Sequence, residues 1–311
     1  MRKKAWMTLS ILIIVSMALA AAACGRNGDS DDLEDQVLLP FHEEGRFGYV
    51  NSEGEVIIEP TYEGFRDLEY GIVFDGDKMS PIFHSFGRLP APNINLVRKD
   101  GQWGVINNRE EVVIPFEYDQ ADFYDGEIIV LEKDQELFIF DQDGEVLHEG
   151  LSHREYMEFW EDRDPFQQAE VVPRAKDGKF GFVDRDGNTV IDHKFQWASG
   201  FSEGLAVATE VEGRQSGFGY IDMEGEYVIE PIYVEARVFH EGMAAVKDRQ
   251  DQRFYYIDTD GEIVEGIQSD IGFSSINGII RVVDFLEEKT RYVNREGEVI
   301  FEYEHLNPNI F

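Results

Sequence analysis

"FGYIDMEGEYVIEPIY" occupies residues Phe218–Tyr233, and a near copy, "FGYVNSEGEVIIEPTY", occupies Phe47–Tyr62. In both copies an apolar run is followed by Asn or Asp, two further residues and Gly, and then by a second apolar run. The Asn or Asp side chain bonds back to the backbone in tight turns, and glycine accepts the positive φ that other residues resist. Each copy therefore predicts a β-hairpin.

The hairpin pattern recurs along most of the chain. Aligned on the opening residue, seven copies start at Phe47, Trp103, Leu137, Phe180, Phe218, Phe254 and Thr290. Every copy has Asn or Asp four residues later, and every copy except the second, which has Glu110, has Gly seven residues later. A second phrase lies between hairpins, as in "FSEGLAVA" (Phe201–Ala208) and "FHEGMAAV" (Phe239–Val246), and predicts a further strand. These are internal repeats of about seven units.

The strands of one unit are apolar on both faces. In "FGYID", Phe218 and Tyr220 face one way, whereas Gly219 and Ile221 face the other. A unit of this size must therefore pack against neighbours on both sides. A fourth strand is expected around positions such as Tyr118, Ala121 and Phe123. Prolines are expected to end the second strand of their hairpins by removing a ladder donor, namely Pro60, Pro115 and Pro231.

These phrases resemble the WG-repeat family. The family's Trp-Gly is intact at Trp103-Gly104, and Phe-Gly replaces it at Phe47, Phe180 and Phe218. The resemblance runs from about Val37 to Phe311 and implies structural modules rather than one particular activity. The predicted fold is all-β, with about seven tandem hairpin units over residues 37–311. A propeller-like ring is preferred over an open β-solenoid array.

The N-terminus has the pattern of an export signal. Arg2, Lys3 and Lys4 precede an apolar run over residues 5–23, which ends in small residues directly before Cys24. This arrangement resembles the lipobox of bacterial lipoproteins and implies cleavage after residue 23 and a lipidated Cys24. The alternative is an uncleaved membrane anchor. Residues 24–36 are polar and acidic and predict a flexible tether. The expected location is extracytoplasmic, anchored to the bacterial cell membrane.

The composition restricts the partners. Asp and Glu total 63 against 28 Lys and Arg, which gives a net charge of −35. Such a surface repels nucleic acid and anionic lipid, and it favours cations, basic partners or solubility in a saline or alkaline medium. We expect no nucleic-acid partner, membrane contact through the lipid alone, and a monomer. Cys24 is the only cysteine, so the domain has no internal disulfide.

The sequence contains motifs typical of enzymes and metal sites, and we compare each with the structure that the repeat predicts for the same residues. "GFSEG" (Gly200–Gly204) fits Gly-x-Ser-x-Gly, but that motif needs a strand-to-helix turn, and Ser202 lies in the inter-strand phrase of a β repeat. We therefore predict that Ser202 is not a nucleophile and that the protein is not an enzyme. Asp-x-Asp-Gly fragments place Asp184, Asp186, Asp258 and Asp260 as calcium candidates, although hairpin turns explain them better. No other cofactor is expected.

Two insertions distinguish the units from one another. Asp77–Ile94 carries Phe83, His84 and Phe86 between prolines. Ser152–Glu170 carries Tyr156, Phe159 and Trp160 at helix-like spacing. Aromatic side chains on loops anchor peptides and glycans, so these six residues are the candidate binding residues. The alternative is that they cap or plug the repeat structure.

The sequence therefore favours an exported interaction scaffold that presents loops to an envelope protein, peptide or polysaccharide. The alternative is a structural or divalent-cation-binding acidic envelope protein. A more remote alternative is a hydrolase whose site assembles only in space.

Overall fold

The computed structural model describes residues 33, 36–67, 72–75, 78–81, 93–124, 128–156, 170–210 and 217–304. From residue 36 onward these belong to one unit, Glu34–Phe311. They form strands β1 to β27, which pair into seven antiparallel sheets. The prediction of an all-β fold with about seven hairpin units is confirmed. The sheets remain separate, because no strand pairing among the described residues joins them into one closed sheet.

The first three sheets contain thirteen strands. Sheet 1 consists of β1 (Leu39–Glu43), β2 (Arg46–Val50) and β3 (Val56–Tyr62). Sheet 2 consists of β4 (Gly64–Asp67), β5 (Ile72–Asp75), β6 (Lys78–Pro81), β7 (Asn95–Lys99), β8 (Gln102–Ile106) and β9 (Val112–Tyr118), in the order β6-β5-β4-β7-β8-β9. Sheet 3 consists of β10 (Gln120–Tyr124), β11 (Ile128–Lys133), β12 (Glu136–Phe140) and β13 (Val146–Leu151).

The other four sheets follow in chain order. Sheet 4 consists of β14 (Val171–Lys176), β15 (Lys179–Asp184) and β16 (Thr189–Phe195). Sheet 5 consists of β17 (Trp197–Ala198), β18 (Ala206–Thr209), β19 (Phe218–Ile221) and β20 (Tyr227–Tyr233). Sheet 6 consists of β21 (Glu235–Ala236), β22 (Met243–Lys247), β23 (Phe254–Asp258) and β24 (Ile263–Ser269), and sheet 7 of β25 (Ile279–Asp284), β26 (Lys289–Asn294) and β27 (Val299–Glu304).

Sheets 2 to 7 each combine parts of two consecutive sequence units. In sheet 5, the strand from "FSEGLAVA" pairs with the strand from "FGYID", although the first phrase follows the hairpin of the preceding unit. The predicted fourth strand is confirmed in sheet 3, where β10 contains Ala121 and Phe123 and pairs with β11. Tyr118 instead ends β9 of sheet 2, and sheets 1, 4 and 7 contain three strands among the described residues.

The hairpin turns are chemically alike in all seven sheets. In the first, the Asn51 side-chain oxygen accepts the backbone N–H groups of Glu53 and Glu55, at 3.0 and 2.9 Å. The same pair of bonds is made by Asn107, Asp141, Asp184, Asp222, Asp258 and Asn294. The turn glycines have φ near +80°, and Glu110 has φ of 61° in their place. The repeated Asn or Asp therefore closes the turn.

The glycine of the Trp-Gly or Phe-Gly pair lies at a β-bulge. Phe218 pairs with Tyr233 and Tyr220 with Ile229, so Gly219 alone faces three residues of β20. A Cβ on Gly219 would lie 2.5 Å from the oxygen of Ile229 and 2.7 Å from the nitrogen of Pro231. Only glycine fits this close approach of two backbones.

The predicted role of the prolines was wrong. Pro60, Pro115 and Pro231 do not end their strands, because β3, β9 and β20 continue to Tyr62, Tyr118 and Tyr233. The prolines lie within the bulges instead, where the ladder is interrupted and a missing N–H donor costs nothing.

The sheets whose hairpin lacks the glycine of Trp-Gly or Phe-Gly differ at the position of this bulge. In sheets 3 and 6 a glycine lies on the partner strand, where Gly150 and Gly266 have φ of 64° and 85°. In sheet 7, Thr290, Arg291 and Tyr292 pair one-to-one with β27, so no bulge occurs at that point. The hairpin architecture thus persists where the sequence motif does not.

Apolar seams join neighbouring sheets. Tyr220 packs in a cluster shared by sheets 5 and 6, whereas Ile221 packs in one shared by sheets 4 and 5. Similar clusters join sheets 1 and 2, sheets 2 and 3, and sheets 6 and 7. The expected burial of both strand faces against neighbours is confirmed for sheets 2, 5 and 6.

The first and last sheets also contact each other. Leu39, Phe41 and Val50 of sheet 1 share a cluster with Ile279 and Tyr292 of sheet 7. The rings of Phe41 and Phe301 lie 5.3 Å apart, and the Tyr292 hydroxyl donates a hydrogen bond to the Pro40 carbonyl oxygen. Six seams therefore join the seven sheets in the order 4-5-6-7-1-2-3.

Candidate functional site

The first insertion begins as an extension of sheet 2. Strand β5 pairs with β4, and β6 pairs with β5, so this hairpin places β6 at the edge of the six-stranded sheet. Strand β6 ends at Pro81, two residues before Phe83. The candidate residues Phe83, His84 and Phe86 lie outside the described residues. The sheet thus fixes where this loop leaves the scaffold.

The second insertion begins with a capped helical turn. The Ser152 hydroxyl accepts the Glu155 backbone N–H, and the Glu155 carboxylate accepts the Ser152 backbone N–H at 2.9 Å. This reciprocal pair is a capping box, and residues 153–156 are helical. The Ser152 hydroxyl also donates to the Glu155 carboxylate at 2.6 Å, and this bond together with the one from the Ser152 N–H lowers the pKa of Glu155.

Tyr156, at the end of that turn, is half-buried and packs on sheet 3. Its neighbours belong to a cluster of Ile128, Val130, Leu137 and Ile139. Of the six candidate binding residues it is the only one described, and it lies against its own scaffold. Phe159 and Trp160 lie outside the described residues.

The calcium candidates serve as turn residues. Asp184 accepts backbone N–H groups from Asp186 and Asn188 and a further bond from the Asn188 amide, and these bonds lower its pKa. Asp258 likewise accepts the N–H groups of Asp260 and Glu262. Within the described ranges, no group of three or more His, Cys, Asp or Glu side chains is placed to hold a metal ion. The side chain of the first aspartate in each fragment therefore closes its turn.

Ser202 and its neighbour Glu203 link sheets 5 and 6. The Ser202 hydroxyl donates to the Phe239 carbonyl oxygen at 2.7 Å, and the Glu203 carboxylate accepts the Gly242 N–H at 2.8 Å. Ser202 thus makes a structural bond in the "GFSEG" segment.

The next loop repeats this arrangement toward sheet 7. Glu241 accepts bonds from the Ser275 hydroxyl and from the backbone N–H groups of Asn277 and Gly278, while His240 Nδ1 lies 2.8 Å from the Ser275 carbonyl oxygen. Burial opposes the ionisation of Glu241, but these hydrogen bonds outweigh it and lower its pKa. Sequence reasoning missed this role, although the recurrence of Glu before Gly in "FSEG" and "FHEG" was a signal for it.

The lipidation candidate Cys24 lies outside the described residues. Over the part of the chain that the structure describes, no helix is long and apolar enough to cross a membrane.

Comparison with known proteins identifies the repeat. The model of the WG containing repeat matches residues 47–74, 103–135, 180–210 and 218–250. Four of the seven units therefore match the WG repeat. The four matched segments are those that open with Trp-Gly or Phe-Gly, whereas the units that open at Leu137, Phe254 and Thr290 have no glycine at that position.

No curated protein matches the chain. Among solved structures, a streptogramin B lyase shares 11% identity over 79% of this chain and 89% of its own, with a TM-score of 0.33. Hsv2 of Kluyveromyces lactis shares 12% over 66% and 70%, with a TM-score of 0.32. Apo AztD from Citrobacter koseri shares 10% over 87% and 94%, with a TM-score of 0.28. Likeness at these scores supports no conclusion about this chain.

Proposed function

We propose that this WG-repeat protein is an exported, lipid-anchored interaction scaffold at the bacterial cell envelope. The basic start, the apolar run and the small residues before Cys24 support export and lipidation. The acidic segment to Gln36 separates the anchor from the first described strand. The acidic surface then keeps the scaffold soluble and away from anionic lipid.

One observation carries the assignment of a scaffold. The polar residues that recur along the chain are bound within the structure, as turn caps or as links between sheets, and the apolar ones fill the seams. What varies between units is the inserted sequence, and insertions are where repeat proteins place their binding residues. Because Tyr156 packs on sheet 3, the first insertion is the better docking loop, with Phe83, His84 and Phe86 as its contacts.

We also propose that the seven sheets form a propeller-like ring. The contact between sheets 1 and 7 supports a ring, since an open stack would leave its first and last units apart. In a ring, each loop has a fixed position and orientation on the scaffold. Less entropy is therefore lost when a loop binds its partner.

The docking assignment is tested by pull-down from solubilised envelope material with the full chain. A Phe83→Ala/Phe86→Ala variant is expected to lose the partners that the wild type retains. Leu286→Ala is the matched control, because Leu286 is an apolar side chain that is 93% exposed on a different sheet. Equal recovery by all three proteins would refute the docking loop. A calcium-dependent rise in melting temperature that is unchanged in the double variant would instead favour the cation-binding alternative.

The anchor is tested separately by fractionation of cells. Wild-type protein is expected in the membrane fraction and to incorporate a labelled fatty acid. Cys24→Ser is expected to lose the label, since serine offers no thiol for acylation. Equal labelling of both proteins would contradict lipidation at Cys24.

A further inference from the structure

Sheet 4 differs from the other six sheets on one face. In each sheet, one residue pairs with the position directly after the hairpin start. In six sheets this residue is apolar, buried and part of the seam with the preceding sheet in the seam order, namely Phe41, Val97, Leu131, Ala208, Val246 and Val282. In sheet 4 it is Arg174, which pairs with Gly181 and is exposed. A cation thus replaces the seam residue in sheet 4.

The hairpin turn of sheet 4 shows the same difference. In five other sheets, a Cβ on the turn glycine would lie within 3.4 Å of an atom of the preceding sheet, as at Gly54, Gly144, Gly225, Gly261 and Gly297. A Cβ on Gly187, the turn glycine of sheet 4, would meet nothing within 4 Å. Strand and turn therefore both lack the close contact that the other sheets make on this face.

In sheets 5 and 6, the segment before the sheet donates two backbone N–H groups to the strand equivalent to β14. In sheet 5, the Gln196 N–H donates to the Thr209 carbonyl oxygen at 2.7 Å, and the Ser199 N–H donates to the Val207 carbonyl oxygen at 2.9 Å. Sheet 6 has the equivalent pair of bonds. This position of the fold therefore accepts an extended segment through two carbonyl groups.

Strand β14 lies at the edge of sheet 4 and has the same two acceptors. They are the carbonyl groups of Ala175 and Pro173, and proline keeps its carbonyl although it lacks an N–H. The Pro173 oxygen accepts a hydrogen bond from the Arg174 guanidinium at 3.3 Å. His153, the equivalent of Gln196, lies in the capped helical turn after sheet 3, and over the described ranges it makes no such bond to Ala175.

We propose that β14 binds an extended acidic peptide of a partner protein, which adds a strand to sheet 4. The peptide donates backbone N–H groups to the Pro173 and Ala175 carbonyl oxygens, as the preceding segment does in sheets 5 and 6. Its carboxylates lie opposite Arg174 and Lys176, which are both exposed and, two residues apart on one strand, share a face.

The charge of sheet 4 fits an acidic partner. Residues 171–195 contain five Lys or Arg and four Asp, a net charge of +1, in a chain whose net charge is −35. An acidic peptide is therefore repelled by most of the surface and attracted to this edge. The edge is separate from the loop of Phe83 and Phe86, so binding at one site can fail while binding at the other persists.

Fluorescence anisotropy of a labelled peptide of alternating glutamate and threonine tests the proposal. It is measured with the full chain in detergent at about 0.15 M ionic strength, where repulsion from distant charges is screened. Arg174→Glu/Lys176→Glu is expected to weaken binding about tenfold, because two attractions become repulsions. Lys99→Glu/Arg249→Glu makes the same change in net charge at exposed positions of sheets 2 and 6 and is expected to bind like the wild type. Equal losses in both variants, or no binding by the wild type, would overturn the proposal.

An N-methylated form of the peptide separates strand addition from attraction between charges. Methylation removes the N–H donors and keeps the carboxylates, so the affinity is expected to fall about tenfold. Unchanged affinity, with polyphosphate binding as well as the peptide, would assign the edge to an anionic polymer and overturn the proposal. A wild-type dimer in analytical ultracentrifugation that Arg174→Glu/Lys176→Glu dissociates would also overturn it, because a second copy would then occupy the edge.

Discussion

Single residue types account for the hairpins of this protein. The Asn or Asp side chain accepts two backbone N–H groups of the turn, so either residue fits, as Asn51 and Asp222 show. The glycine of Trp-Gly and Phe-Gly is fixed by the partner strand, whose backbone leaves no room for a Cβ. The glycine of Trp-Gly and Phe-Gly is therefore required by backbone geometry.

Substitution at the bulge tests this reading. Gly219→Ala is expected to destabilise the protein by about 2–3 kcal/mol, because its Cβ would overlap backbone atoms that cannot move independently. Gly204→Ala is the comparison, since Gly204 has φ of 84° but nothing within 4 Å of a Cβ. It is expected to lose only about 1 kcal/mol, from backbone strain. Chemical denaturation measures both, and equal losses would contradict the role assigned to Gly219.

The turn of sheet 2, which has Glu110 in place of glycine, leads to a separate prediction. Glu110 adopts φ of 61° and accepts a hydrogen bond from the Tyr62 hydroxyl of sheet 1 at 3.0 Å. Burial and this bond raise the pKa of Tyr62. Tyr62→Phe is expected to lose about 1 kcal/mol of stability in the wild type and nearly nothing in Glu110→Gly, which lacks the acceptor. The same loss in both backgrounds, measured by urea unfolding, would show that the bond does not stabilise the fold.

Turn chemistry could be predicted from the sequence, but bulge position could not. Asn or Asp followed by Gly acts within five residues, so a local pattern suffices. Whether Pro60 ends a strand or lies in a bulge depends on the register with Gly48, which only the pairing of two strands reveals. For the same reason, the role of Gly150 and Gly266 could not be predicted, since these glycines lie at the bulge on the partner strand.

At the scale of elements, each sheet is an incomplete layer that neighbours complete. Successive residues of one strand pack in different seams, as Tyr220 and Ile221 do. Loops add polar links to the apolar seams, with Glu203 and Glu241 each reaching the next loop. These links pass from sheet 5 to sheet 6 and on to sheet 7.

The Glu241 link predicts a pH dependence. Its pKa is lowered in the folded protein, so its stabilisation is complete above the pKa of an unfolded glutamate, about 4.3, and is lost as the pH falls through the folded pKa. Glu241→Gln is expected to be about 1–2 kcal/mol less stable than the wild type near pH 7, since it weakens bonds to a charged acceptor. The difference should shrink as the pH falls below about 4.3 and through the lowered folded pKa, where the wild-type carboxyl becomes protonated itself.

The control for that series is Glu288→Gln, a change of the same charge on the exposed turn of sheet 7. Unfolding by guanidinium chloride between pH 3 and 7 measures all three proteins. A gap between Glu241→Gln and the wild type that stayed constant over this range would rule out the ionised carboxylate as the source of the stabilisation.

At the scale of the whole molecule, the order of the seams was beyond sequence reasoning. Seven units and two-faced strands could be predicted, because both follow from local patterns. The contact of β1 with sheet 7 joins residues some 250 positions apart and has no local signal. The candidate site was predictable only as insertions, since a loop that does not repeat has no second copy with which to be compared.

The central claim is that neighbouring sheets hold one another through apolar seams, and that the first and last sheets do so as well. Hydrogen exchange of the backbone amides in β26 and β27 after Phe41→Ala tests it most directly, because Phe41 contacts Phe301 and Tyr303 while lying at the other end of the chain. The account predicts faster exchange in those two strands, with little change in sheets 4 and 5. Unchanged protection of β26 and β27 would contradict it.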